Sequence, residues 1–391
     1  MISLISRGSV TATYIYLPKS WRWNSFHLLD AYTQWQGNSA LYTRDCKALN
    51  QTNTTTTTKT TGLIRKLHGK TKTSTATAET INMFKQSGIN LLEQSPDKVT
   101  QWLDSFDAVI TDCDGVLWIY SNIIEGSVET INRFKELGKK VFFCTNNSTK
   151  TRNEILQKSV NMNFDIEEHE IISTAHSAAA YLKNRNFRKK VYVIGSAGIT
   201  SELDAVGIAH TEVGPDTMQG TLAEYLSEHF KPEKDIGAVL IGFDEHFSFP
   251  KMTKAASYLS NPDCLFIATN TDERFPMPKL VIPGTGSFVR AVEVCAERAP
   301  LVIGKPNPGI CEWLIRDGLV DPARTLMIGD RCNTDILLGY NCGFQTLLVG
   351  TGIHQLNDVT AWQNSSDPEL KKLIPDVFLP KLGDLLPYMK H

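Results

Sequence analysis

No apolar run in this 391-residue chain approaches the roughly eighteen residues that a membrane-crossing helix needs, so nothing in it reads as a bilayer span. None of the eight cysteines, at positions 46, 113, 144, 264, 295, 311, 332 and 342, forms a Cys-x-x-Cys pair, which removes the usual zinc and dithiol motifs. Scattered in this way, they fit a reducing compartment. An excess of either charge is missing as well. Forty Lys plus Arg against 42 Asp plus Glu leave a net charge of -2, so a polyanionic partner such as nucleic acid is not indicated. With 41% hydrophobic and 21% charged residues the composition is that of a globular protein, long enough for two domains and a tail.

One region lacks acids. Up to Ala78 there are ten Lys plus Arg against only Asp30 and Asp45, and a Thr-rich tract from Gln51 to Thr61 shows no core-forming periodicity. Residues 1–90 are therefore read as a basic, Thr-rich, disordered extension. Poverty in acids with Arg and hydroxyl enrichment is also the composition of a mitochondrial transit segment. The first twenty or so residues carry no clear basic amphipathic helix, so a cytoplasmic location is preferred and a mitochondrial one is the alternative.

What is present is organised around Ala108-Val-Ile-Thr-Asp-Cys-Asp-Gly-Val-Leu-Trp118. Ala108 to Thr111 reads as a short buried strand that ends abruptly in acids. Residues two apart in an extended segment point the same way, so Asp112 and Asp114 face one space, where an open α/β sheet keeps its ligands. Two acids this close repel each other unless a cation lies between them, which makes a divalent metal with oxygen ligands the natural third party. A solvated turn after an ordinary strand is the plainer alternative for Asp-x-Asp alone.

The remaining pattern alternates strand and helix. Ser95-Pro96-Asp97 opens a helix with Val99, Trp102, Leu103 and Phe106 at helical spacing, and Val128–Leu137 and the strand Lys140–Cys144 complete a βαβ unit, which implies a parallel sheet. That strand ends in Thr145-Asn146-Asn147-Ser148, which either binds phosphate oxygens or only caps the next helix. A second α/β pattern runs from about Phe187, with strands at 191–194, 238–241 and 265–268. Gly195-Ser-Ala-Gly198 lacks a full glycine fingerprint and reads as a turn, as does Gly284-Thr-Gly286 before a helix over 287–298. Leu301-Val-Ile303 reads as the return to the first sheet, followed by Gly304-Lys305-Pro306. A further apolar strand, Thr325–Ile328, runs into Gly329-Asp330-Arg331 and then Thr334-Asp335. One more strand is read at 346–349.

Four strand-end motifs in this order resemble those of the haloacid dehalogenase superfamily of phosphatases. The fuller form Asp-Cys-Asp-Gly-Val-Leu-Trp is similar to its phosphoglycolate and 4-nitrophenyl phosphate phosphatase branch. The resemblance implies an α/β fold with a Rossmann-like parallel-sheet core, at 91–186 and 300–391, and an inserted α/β cap at 187–299. It also implies that Asp112 is the nucleophile, forming an aspartyl phosphate, and that Asp114 is the general acid and base. Thr145 and Lys305 clamp the phosphoryl group, with Asn146 and Asn147 beside it. Mg2+ is held by Asp112, Asp114 through its backbone carbonyl, and Asp330. Asp335 orients Lys305 or a metal-bound water. Cap segments 242–248 and 269–274 shape specificity, and there Arg274 is the candidate for a substrate carboxylate, with Asp272 orienting it. The expected partner is a small phosphorylated metabolite, with a homodimer through the cap left open. A pyridoxal phosphate or phosphotyrosine-protein phosphatase is the alternative, and a non-catalytic phospholigand-binding member a more distant one. A redox role for Cys113, between the two acids, is left open.

Overall fold

The computed structural model describes residues 83–275 and 280–389. The chain up to residue 82, with the compartment expectations resting on it, lies outside the described residues. β1 (Ile89–Asn90) precedes the helix Pro96–Leu103, which buries Val99, Trp102 and Leu103. Ser95 holds that helix's cap position without a side-chain bond. β2 (Ala108–Thr111) follows, then the hairpin β3 (Trp118–Ile119) and β4 (Asn122–Ile123), the helix Ser127–Glu136 and β5 (Lys140–Thr145). The helix Arg152–Asn161 starts from a capping box between Thr151 and Glu154. β6 (Ile171–Ser173) ends this half.

The helix Thr174–Asn184 leads to β7 (Lys190–Ile194), the helix Ala197–Ala205, β8 (Ile236–Ile241), the helix Phe249–Leu259 and β9 (Leu265–Ala268). Then come the hairpin β10 (Arg274–Phe275) and β11 (Ile282–Pro283), the helix Thr285–Ala296 and β12 (Leu301–Val302). β13 (Thr325–Gly329), β14 (Gln345–Val349) and β15 (Val377–Leu379) close the chain.

The strands assemble into two parallel sheets, a seven-stranded one ordered β1-β15-β14-β13-β2-β5-β6 and a four-stranded one ordered β12-β9-β8-β7. From β2 the chain winds outward through β5 and β6, and from β13 it winds the other way through β14 and β15. The winding direction therefore reverses between β2 and β13, and the carboxyl ends of those two strands form the crevice where such sheets bind ligands. Asp112 follows one of them and Asp330 the other. Both strands are completely buried, as their unbroken β-branched and apolar runs require.

Three boundary expectations need correction. The extension was expected to reach residue 90, but Phe84 is 1% exposed, β1 pairs with β15, and Gln86 N donates to Asp376 Oδ1 at 2.6 Å. A single buried Phe and a two-residue strand carry too little periodicity to register in a sequence. The insert was expected over 187–299, yet β12 pairs with β9 in the smaller sheet, and Ala175, Ala178 and Leu182 pack against Val191, Val193 and Leu240. The cap therefore takes in the helix Thr174–Asn184 and β12, because their apolar faces pack with the strands and helices of the smaller sheet. The helix expected from residue 287 starts at Thr285, with Gly286 N donating to Asp272 O at 2.9 Å. That bond ties the helix start to the loop after β9.

Candidate active site

Lys305 sits at the centre of the crevice, 2% exposed, with Nζ 2.6 Å from Asp112 Oδ1 and 2.8 Å from Asp335 Oδ1, and donating to Cys144 O at 2.8 Å. Burial alone would push this ammonium down, but Asp112 and Asp335 more than reverse that and hold it well above its ordinary range. Lys305 is a fixed cation in a dry site, where charge interactions are strong.

The carboxylates are held with equal care. Asp112 N donates to Ile328 O at 2.8 Å, which locks the end of β2 to β13. Burial, opposed by Lys305 and reinforced by Asp335, raises the Asp112 carboxyl to about 6. Burial and then Asp112 raise Asp114, whose Oδ1 accepts from Trp118 Nε1 at 2.9 Å. Asp330 accepts from Ile353 N at 2.9 Å and is pushed well up by burial, Asp112 and Asp335. Gly115, at φ 94°, and Gly352 stand against this carboxylate, and a Cβ at either would collide with it. Asp335 is completely buried. Its Oδ2 accepts from Arg331 N at 3.0 Å, and its Oδ1 meets Lys305 as an ion pair, not a hydrogen bond.

Ligand atoms of Asp112, Asp330 and Asp335 all lie within 4.8 Å of one another. Three carboxylates this close, with one lysine between two of them and raised proton affinities at Asp112 and Asp330, form a set of hard oxygen donors short of positive charge. The set fits a divalent cation of the magnesium type. Both Asp335 oxygens are already engaged, by Lys305 and by Arg331 N, so Asp112 and Asp330 are the stronger candidates for direct ligation.

Thr145 is buried at the end of β5, and its Oγ1 accepts from Asn147 N at 3.1 Å. Of the two asparagines after it, Asn147 is held through its Oδ1 and Asn146 through both atoms of its amide. Asn147 Oδ1 accepts from Thr149 N at 2.8 Å. Asn146 accepts from Lys305 N through Oδ1 at 2.9 Å and donates through Nδ2 to Asp272 Oδ1 at 3.0 Å. Its carboxamide thus joins the lysine loop of the core to the cap loop after β9. Asn270 Nδ2 adds a bond to Asn146 O at 2.7 Å. Across the same seam, Ser148 Oγ accepts from Phe243 N at 3.3 Å and Glu202 accepts from Arg152 N at 2.8 Å.

A cavity of about 640 Å³ opens over these groups and is lined by core, hairpin and cap residues, among them Thr145, Tyr120, Phe243, Asp272 and Arg274. Arg274 lines it from an exposed position, with its carbonyl accepting from Arg331 NH2 at 3.3 Å. Burial raises the Asp272 carboxyl, and Arg331 and the Asn146 bond oppose that rise. The expectation that Asp272 orients Arg274 is replaced by bonds to Asn146 and the field of Arg331. Arg331 is 8% exposed and sits 3.5 Å from Glu273. The sequence reading passed over it, although a cation directly after Asp330 was a signal. Lys158, about two turns into a helix with no motif of its own, offered none. Cys113 is packed in the core, and burial with the flanking Asp112 and Asp114 pushes its thiol well up, which argues against a reactive thiolate.

Comparison with known proteins agrees with this geometry. The family model "Haloacid dehalogenase-like hydrolase" matches residues 109–209, and a second, HAD-like hydrolase model matches 302–377. Human glycerol-3-phosphate phosphatase is 40% identical over 306 residues, 76% of this chain and 95% of its own. Phosphoglycolate phosphatase 1A of Arabidopsis thaliana, a chloroplastic protein, is 37% identical over 75% of this chain and 80% of its own. Among solved structures, the p-nitrophenyl phosphatase from Archaeoglobus fulgidus aligns with a TM-score of 0.60 and 27% identity over 72% of this chain and 98% of that one. The chain belongs to the haloacid dehalogenase-like hydrolases. Within them it is a phosphoric monoester hydrolase, akin to the glycerol-3-phosphate, phosphoglycolate and 4-nitrophenyl phosphate phosphatases.

Proposed function

We propose that the protein is a Mg2+-dependent phosphatase of small phosphomonoesters, phosphoglycolate and glycerol 3-phosphate foremost, that works through an aspartyl phosphate on Asp112. The observation that carries this reading is the Lys305 ammonium clamped between Asp112 and Asp335, with Asp330 completing the carboxylate cluster at the cavity floor. Phosphate monoesters are dianions, so a carboxylate can attack only if the approaching charges are screened. Mg2+, held by Asp112 and Asp330, supplies that screening when bound.

The chain's own groups do the rest. Asp112 forms a bond to phosphorus as the bond to the leaving oxygen breaks, and Asp114, its proton affinity raised by burial, hands its proton to that oxygen. Water then attacks phosphorus while Asp114 takes a proton back, and phosphate leaves with the Asp112 carboxylate restored. Lys305 and the Thr145 hydroxyl hold the phosphoryl oxygens. The cap limits water over the leaving group, and Asp272 and Arg274 are the cap residues proposed to meet it. A catalytically idle relative would be expected to lack one of Asp112, Asp114, Lys305 or Asp330, and all are in place.

Likeness to rat chronophin, 35% identical over 73% of this chain and 88% of its own, gives weight to a second reading, a pyridoxal phosphate or phosphotyrosine-protein phosphatase. A panel of phosphorylated metabolites assayed with Mg2+ and with EDTA tests both. The proposal is upheld if glycerol 3-phosphate and phosphoglycolate lead the panel and EDTA abolishes turnover, and it is refuted if pyridoxal phosphate leads or EDTA has no effect. A homodimer through the cap, where Val281 and Val294 are exposed, and a cytoplasmic location are part of the proposal. Sedimentation of cap-surface variants and imaging of the full-length chain test them. Among the described residues no helix is long and apolar enough to cross a membrane.

A further inference from the structure

The cavity wall contains several cations, and they differ in how their charge is answered. Lys305 is matched by Asp112 and Asp335, and Arg331 by Glu273 at 3.5 Å. Arg274 is exposed, so water already answers its charge. Lys158, on the helix Arg152–Asn161, is half-buried, and among the described residues no carboxylate lies within ion-pair distance of it. Its Nζ is instead held 4.2 Å over the centre of the Trp118 ring. The same indole donates to Asp114 Oδ1 at 2.9 Å, so Lys158, Trp118 and the proton donor form one fixed unit.

The position of that unit is informative. A second cavity, about 460 Å³, lies beside the first, and Asp114, Thr145, Asn147, Thr149 and Lys158 line both. Asp114 must stand at the leaving oxygen to protonate it, so the alcohol side of the ester lies on the side of the site where Lys158 stands. A cation partly removed from water, with the field of Asp114 on it but no ion pair of its own, and rigidly placed next to the leaving group lowers its free energy most by pairing with an anion brought in by that group.

We infer that Lys158 is a specificity-determining residue that receives a carboxylate carried by the leaving alcohol, so that the preferred substrates are phosphomonoesters of hydroxy acids. The inference rests on the phosphatase reading above and names the substrate class of that same site. Ordinary esters without a second anion would still react, because Lys158 bonds to no group of the phosphoryl clamp and Trp118, packed in the core, keeps its own bond to Asp114 when Lys158 is replaced.

The test compares phosphoglycolate with ethyl phosphate, which lacks the carboxylate, in wild type, Lys158→Gln, Lys158→Met and Lys158→Arg, with Arg274→Ala alongside. Lys158→Met keeps an apolar stem against Trp118 and serves where the glutamine fails to fold. The neutral variants are expected to raise KM and lower kcat/KM for phosphoglycolate by about 10- to 100-fold, the scale of a charge-assisted hydrogen bond. They should change ethyl phosphate by less than about threefold, with Lys158→Arg recovering most of the loss. Equal losses on both esters would overturn the inference and make Lys158 a positioning residue for Trp118 and Asp114. So would unchanged phosphoglycolate kinetics, or a loss confined to Arg274→Ala. Wild-type turnover of ethyl phosphate but not phosphoglycolate would reject the hydroxy-acid class, whereas no turnover of either ester would refute the phosphatase reading itself.

Discussion

The floor of the site and its roof are built to different standards. On the floor, Lys305 is 2% exposed and engages two carboxylates at 2.6 and 2.8 Å, on strand ends locked together by the central sheet. On the roof, Arg274 is exposed on a two-residue strand, and Arg331 reaches Glu273 only at 3.5 Å. The floor has to stabilise the same phosphoryl charge in every turnover, so its groups are fixed before substrate arrives. On the proposed function the roof meets the leaving group, and looser contacts suit a part that opens to admit it. Chemistry and specificity are thus carried by parts of the chain with different rigidity, and a substitution should reveal which part it touches.

The largest contrast is between two Asp→Asn changes. Asp112→Asn removes the proposed nucleophile with no change in volume and should lower kcat by about 10⁴-fold or more, while Asp272→Asn, which keeps an acceptor for Asn146, should cost about tenfold at most. Steady-state assays on 4-nitrophenyl phosphate decide this, and comparable losses would break the division between floor and roof. Next comes the edge of the floor. Removing residues 1–82 should leave melting unchanged, whereas removing 1–90 also takes away Phe84 and β1 and should cost about 3 kcal/mol or more. Thermal melts of the two truncations measure the difference, and equal melting would make β1 dispensable.

Smaller still is a pH effect. With the folded Asp112 carboxyl raised to about 6 and its unfolded value near the ordinary ~3.9, the metal-free native state binds more protons than the unfolded chain between those values. This group's contribution is therefore fully present below about pH 4 and is lost as pH rises through about 6, on the order of 1–3 kcal/mol. The melting difference between wild type and Asp112→Asn in EDTA, followed from pH 5 to pH 7 or so, isolates it from carboxylates with the opposite sign, such as Asp107 and Glu202. Added Mg2+ should remove the slope, and a wild type that gains stability over the variant with rising pH would contradict the account.

Much of the floor was legible in the sequence because a buried parallel strand ending in acids changes polarity within one residue. Asp112, Asp114, Thr145, Lys305, Asp330 and Asp335 each follow such a change or stand a short step beyond it. The roof was harder to read. Asn146 and Asn147 line the cavity as their place after β5 suggests, but that place does not record that their amides also bond to Lys305, Asp272 and Thr149, partners far off in sequence or turned back on the same loop. β12 looks like a core strand because an apolar triplet does not record which sheet it joins. Arg331 and Lys158 acquire meaning only through neighbours on other elements, Glu273 for one and Trp118 for the other. Strand-end chemistry is local, and recognition across a seam is not.

The most direct test of the central claim is an acid quench of the wild-type enzyme in the first turnover with saturating phosphomonoester and Mg2+, followed by mass analysis of the peptide that contains Asp112. The account expects that peptide to carry one phosphoryl group on Asp112, formed before steady-state phosphate release and absent from Asp112→Asn. A phosphoryl group on another residue, or first-turnover phosphate release with the Asp112 peptide never modified, would contradict it.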